Sequence, residues 1–291
     1  MPTGRDIPLL LGGIIGIGMS GPLIALSAMP ILVLIFWRNL GGALMMLPFA
    51  LKRAEWRTKD QQRAIAWSAL AGFFLAMHFI CFFLAMRYTS VATGTALTAL
   101  QPIFAAIFFK VRGGVIPSRA WSGMLIAFFS VALITGIDLQ ISLRNFVGDL
   151  LAILGAALSA GYVLIGSKAQ QKLTTSTYTT FCYLTCAVTG LVIAIASGSQ
   201  IFNFQARQWW LVLALIIGAQ FLGHTMFNMT LSRVSPVIVS LVVFFEVPVS
   251  AIIAFIWLDQ IPAAGIIPGI IGLLIGCGIF VSRAKVRPDN D

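Results

Sequence analysis

The sequence predicts an all-α integral membrane protein of ten transmembrane helices, built as two inverted five-helix repeats. Three observations carry this: scarce charge, ten apolar runs of spanning length, and a fixed-offset correspondence between the halves. Of 291 residues, 59% are hydrophobic and 10% charged, and mean hydropathy is +0.98. A soluble domain carries about 25% charge, so only short loops here are fit for water.

The runs lie at 7–27, 30–51, 64–86, 91–111, 119–138, 148–168, 178–197, 209–230, 237–258 and 265–283. Each is near the ~20 residues that cross a bilayer as a helix and too long for a barrel strand. Residues 25–28 resemble a signal-peptide cleavage site, but nine further spans follow, so the first is read as a retained helix. Arg87, Arg144 and Arg207 fall on one side and Arg38 within a span; the other fifteen of nineteen Lys and Arg share the opposite side. That bias predicts both termini in the cytoplasm and residence in the plasma or inner membrane. It also accounts for the net charge of +10 without nucleic acid. Cys81, Cys182, Cys186 and Cys277 lie inside apolar runs and read as free buried thiols.

The 146-residue offset that superposes Pro102 on Pro248 also superposes the only two histidines, His78 and His224. Gly72 and Gly218, Arg87 and Arg233, and Gly123 and Gly269 follow without a gap. The expected division is 1–138 (first repeat), 139–147 (linker), 148–283 (second repeat) and 284–291 (cytoplasmic tail). Five spans per half turn the second half over, a design of secondary transporters with a midplane site.

Leu84-Ala85-Met86-Arg87-Tyr88-Thr89-Ser90-Val91-Ala92, running into Thr98-Ala99-Leu100-Gln101-Pro102-Ile103-Phe104, resembles the drug/metabolite transporter superfamily, specifically its ten-helix EamA-type members. Leu34 to Asn39, around Arg38, is similar to the start of that family's second helix, and the likeness covers 7–137 and 148–283. Two departures stand out: Arg112-Gly113 replaces an acidic position of the first repeat, and Asp259 replaces the Glu of the second. The resemblance implies transport, and export rather than import.

Glu246 lies near the middle of its run and is counted as the only Asp or Glu within a span. It is a candidate for proton coupling, for a substrate amine, or for an ion pair with Arg38. Arg38 is a candidate for an anionic group, or snorkels to the headgroups. Gln220, His224 and Asn228 are four apart and predict one polar helix face, opposite an aromatic face of Phe74, His78 and Phe82. Thr95, Thr98 and Gln101 share a face before Pro102; both prolines are expected to interrupt their helices and free carbonyls. Tyr162 and Tyr183 are further cavity candidates, and the glycines of the first and last spans read as packing seams.

The predicted site is therefore Arg38, His78, Gln101, Tyr162, Gln220, His224, Asn228 and Glu246, with helix breaks at Pro102 and Pro248. The expected function is secondary active transport of a small polar or amphipathic metabolite, such as an amino acid, with protons as candidate coupling ion. No nucleotide motif, cofactor or metal set is present in the sequence. A passive facilitator and a membrane-embedded lipid-modifying enzyme are the alternatives. The expected partners are the solute and the bilayer, and the chain is expected as a monomer or homodimer.

Overall fold

The computed structural model describes residues 6–111, 113, 117–231 and 244–283. Eight apolar helices of spanning length are present: α1 (Ile7–Leu26), α2 (Ile31–Arg53), α3 (Lys59–Tyr88), α4 (Val91–Val111), α5 (Trp121–Ile141), α6 (Leu143–Ala169), α7 (Thr175–Ala196) and α8 (Ala206–Met229). Two shorter apolar helices, α9 (Glu246–Leu258) and α10 (Ile266–Ser282), bring the apolar helices among the described residues to ten. The predicted start of the ninth span at 237, and Arg5, Arg112, Arg233, Lys285 and Arg287, lie outside the described residues.

Local sequence sets the helix starts. Thr58 and Gln61 form a reciprocal capping box at α3, which places Asp60 in the first turn. Ser90 accepts from Thr93 N at 3.0 Å to open α4, and Ser142 accepts from Asn145 N at 3.0 Å to open α6. Ser142 is the one residue of the 139–147 stretch that separates the helices: α5 runs to Ile141 and α6 starts at Leu143. The α1–α2 corner is tied to distant elements. Gln208 accepts from Ser27 Oγ and Ala28 N at 3.0 and 2.9 Å, and Arg87 donates to the Ser27 and Met29 carbonyls. Trp37 packs edge-on against Phe202 in the α7–α8 connection and against Trp209 at the start of α8.

The packing pairs include α3 with α6, α1 with α8, α2 with α7, α5 with α10 and α4 with α9, together with α3 with α7, α2 with α8, α4 with α6 and α1 with α9. Exchanging each helix for the one five later maps this set onto itself. The α5–α10 seam uses the predicted small residues within one chain. A Cβ on Gly276 would lie 2.6 Å from Ala127 N and 2.8 Å from the Gly123 carbonyl. Backbone cannot yield there, so Gly276→Leu is expected to lower stability by about 1–3 kcal/mol. A melting curve in detergent should show this, and Gly278→Ala, whose Cβ would meet nothing within 4 Å, should melt like the native protein.

Candidate substrate cavity

Three helices lose regularity at one level of the bundle. α1 is interrupted between Gly18 and Ser20. α4 breaks at Ala99–Leu100 and restarts at Gln101, because Pro102 cannot donate back to Thr98. α8 carries a π-helical stretch, Leu215–Thr225, in which Thr225 Oγ1 donates to the Gln220 carbonyl at 3.0 Å. The described part of α9 starts at Glu246. Irregular backbone at membrane depth is tolerated where it lines a cavity, and π-turns gather at functional sites.

A cavity of about 150 Å³ lies at this level. Its walls come from α1, α3, α4, α6, α8 and the start of α9, three pairs of helices five apart. Positions 146 apart face it together: Ile17 with Val163, His78 with His224, Phe82 with Asn228, and Thr98 with Phe244. The half-helix starts at Gln101 and Glu246 both open onto it.

Of the predicted site, His78, Gln101, Pro102, Tyr162, His224, Asn228 and Glu246 line the cavity. The His78 Nδ1–H donates to the Gly155 carbonyl at 2.9 Å, since a carbonyl only accepts, and the ring stacks on Phe82. In the neutral ring that leaves Nε2 as an acceptor. Asn228 Nδ2 donates to Tyr162 Oη at 3.3 Å.

Arg38 and Gln220 stand behind the wall, a correction to both. Arg38 is 0% exposed. Its Nε donates to Gln220 Oε1 at 2.8 Å and its Nη1 to Ser20 Oγ at 3.3 Å, and its guanidinium lies 4.3 Å from the Phe79 ring centre. Nη2 has no partner. Ser20 and Phe79 both line the cavity, so Arg38 is one side chain away from it. Snorkelling is excluded, and no ion pair joins Arg38 to Glu246 among the described residues, although the two charges lie within electrostatic range.

Gln220 also donates to Asn39 Oδ1 at 3.1 Å. The predicted polar stripe therefore divides, because π-turns advance differently from the α-turns that its spacing assumed: Gln220 anchors Arg38 while His224 and Asn228 face the cavity. Thr95 is buried on the Val91 carbonyl and Tyr183 on Thr225, neither at the cavity. Pro248 is exposed in the first turn of α9, a position that tolerates proline. The aromatic wall is Phe79, Phe82, Phe227 and Phe244 rather than Phe74, which packs where a Cβ of Gly161 would lie. Phe79 had no repeat partner to mark it, yet it touches His78, His224, Phe83 and Arg38.

The count of one acid within the spans is also corrected. Asp138 in α5 and Asp149 in α6 are 2% and 0% exposed. Asp138 accepts from Thr89 Oγ1 and Asn145 Nδ2 at 3.2 and 3.3 Å, whereas among the described residues neither Asp149 oxygen has a donor within hydrogen-bond geometry. An acceptor that only loses solvation on burial is costly. Asp149→Asn supplies an N–H beside Asp138, and its melting temperature is expected to equal or exceed that of the native protein.

Family comparison gives these positions a context. The model of the EamA-like transporter family matches residues 7–136 and again 146–282. An uncharacterized transporter of Archaeoglobus fulgidus is 26% identical over 206 residues, 70% of this chain and 70% of its own length. An uncharacterized transporter of Bacillus subtilis is 25% identical over 240 residues, 80% of this chain and 74% of its own. A solved crystal structure shares the fold with a TM-score of 0.66 at 16% identity, covering 98% of this chain and 99% of that one. With two family matches that together take in most of the chain, and a cavity enclosed by apolar helices, the protein belongs to the EamA-like transporter family and is a multi-pass membrane transporter.

Proposed function

We propose that the chain is a secondary active transporter that exports a small polar or amphipathic metabolite of the amino-acid kind, exchanging it for protons at Glu246. The observation that carries this reading is the cavity lined by three pairs of helices five apart, with both half-helix starts opening onto it. Inverted halves that rock about such a site expose it to each side in turn. A volume of about 150 Å³ is small beside the roughly 300–1,000 Å³ of drug-sized sites, which favours a small solute. The unpartnered Arg38 Nη2 and the Glu246 carboxyl supply opposite charges for a zwitterion, and the rings of Phe79, Phe82 and Phe227 supply an apolar side.

The test uses purified protein in proteoliposomes, loaded with a panel of radiolabelled amino acids and related metabolites. At least one solute should leave against its gradient when a pH gradient is imposed, and should stop when an ionophore collapses that gradient. Flux that only runs downhill whatever the pH gradient would leave a facilitator instead.

A further inference from the structure

A second and larger hollow, about 840 Å³, lies between α2, α7 and α8. Its wall divides by chemistry along its length. Met46, Phe49, Phe221 and Met229 form an apolar floor, and Lys52, Arg53, Thr175 and Ser176 gather at one end. Lys52 and Arg53 occupy the last turn of α2. Met46 is six residues earlier, so the floor runs on the order of 9 Å from the cations along the helix toward the bilayer centre. Phe49 is 59% exposed, a large apolar face at that depth. The first-turn N–H groups of α7, which no intrahelical carbonyl reaches, begin at the same end.

Glu55 is the acid nearest this end, and its carboxylate is already engaged. Thr174 donates to it through N and Oγ1 at 2.9 and 2.8 Å. Partial burial raises the Glu55 carboxyl, but hydrogen bonds from Thr177 and Thr174 and the Arg53 charge outweigh it and hold the group below its usual range. Glu55 therefore stays ionised, opposed by Lys52 and Arg53 together, and the rim keeps a net positive charge.

We propose that this groove binds an anionic phospholipid from the leaflet at the Lys52–Arg53 end. The phosphate meets Lys52, Arg53 and the Ser176 hydroxyl, and an acyl chain lies along Met46, Phe49 and Phe221. Basic pockets between membrane helices recognise anionic headgroups in this manner. A zwitterionic phospholipid offers the same chains but carries its own cation toward two cationic side chains. A soluble anion satisfies the rim and leaves the apolar floor in water.

The melting temperature of the detergent-purified full chain tests this, titrated separately with phosphatidylglycerol, phosphatidylcholine and glycerol 3-phosphate. Phosphatidylglycerol should raise it by about 3 °C or more, phosphatidylcholine by less than half as much, and glycerol 3-phosphate not at all. Lys52→Gln with Arg53→Gln should reduce the phosphatidylglycerol shift to the phosphatidylcholine level. Lys59→Gln with Arg63→Gln, outside the groove, should keep it. Equal shifts from both lipids, or a preference that survives the groove variant, overturn the proposal. A full shift with glycerol 3-phosphate alone makes the groove a soluble-anion site and overturns it too. Should the groove variant not purify, native mass spectrometry of the unmodified protein replaces it: retained phosphatidylglycerol supports the site, and indiscriminate retention of both lipids rejects it.

Discussion

Arg38→Met is expected to abolish transport while leaving the protein at least as stable as it is now. The guanidinium is fully buried, has no acidic partner among the described residues, and keeps one nitrogen without a hydrogen bond. Removing a charge from water costs several kcal/mol, and replacing buried charge by an apolar group of similar volume is often neutral or stabilising by about 1–4 kcal/mol. Against that gain stands the lost hydrogen bond to Gln220, worth about 1.5–3 kcal/mol for a charged donor. The two nearly cancel, so the fold has little use for this arginine. The cavity has more, because a substrate carboxylate reaching toward Ser20 and Phe79 would approach the Nη2 amino group, which has no hydrogen-bond partner among the described residues. Loss of a charge-assisted contact of that kind corresponds to a fall in transport on the order of 100-fold. Arg38→Lys should not restore it, since the three donors of an ammonium radiate from one nitrogen and do not span Gln220 and Ser20 as the planar guanidinium does. Flux in proteoliposomes paired with a melting curve separates the outcomes. A variant that unfolds in step with its loss of flux would make Arg38 a structural residue.

Glu246→Gln carries the second large effect. The carboxyl sits in the first turn of α9, at the cavity. Glutamine keeps the volume and a carbonyl but cannot take or release a proton. Concentrative flux driven by a pH gradient is expected to fall by more than about tenfold, the scale set by one lost acid–base group. Exchange of labelled for unlabelled solute at equal concentrations should persist, because it needs only the rocking of the loaded protein. Uphill flux that survives in the variant would assign coupling elsewhere; loss of exchange as well would make Glu246 a binding residue.

Much of this was legible in the residues, and the part that was not has physical causes. The spans follow from hydropathy, which the bilayer enforces at every position, and the offset that pairs Pro102 with Pro248 found His78 and His224 at one cavity. Arg38 was placed in the right neighbourhood but on the wrong side of the wall. Depth along a helix can be counted from sequence, whereas the direction of a long side chain is settled by neighbours such as Gln220 and Phe79 that arrive from elsewhere in the chain. The stripe through Gln220, His224 and Asn228 assumed α-turns, and no local residue signals the π-turns that divide it. Asp138 and Asp149 stand at the ends of the runs 119–138 and 148–168, where an acid reads as a loop residue; Ser142 opens α6 at Leu143 and leaves both acids buried.

The broken backbone around the cavity also bears on how recognition in this protein is to be mapped. With proline at 102 the Thr98 carbonyl has no amide one turn ahead to claim it. Part of the solute's hydrogen bonding is thereby assigned to main-chain atoms. Alanine scanning leaves those atoms untouched, so a map drawn from side-chain replacements would assign the cavity too few polar contacts. An ester in place of the 98–99 amide, which weakens the Thr98 carbonyl as an acceptor, would recover that contact, and two family members with different side chains here can still share a ligand through their common backbone.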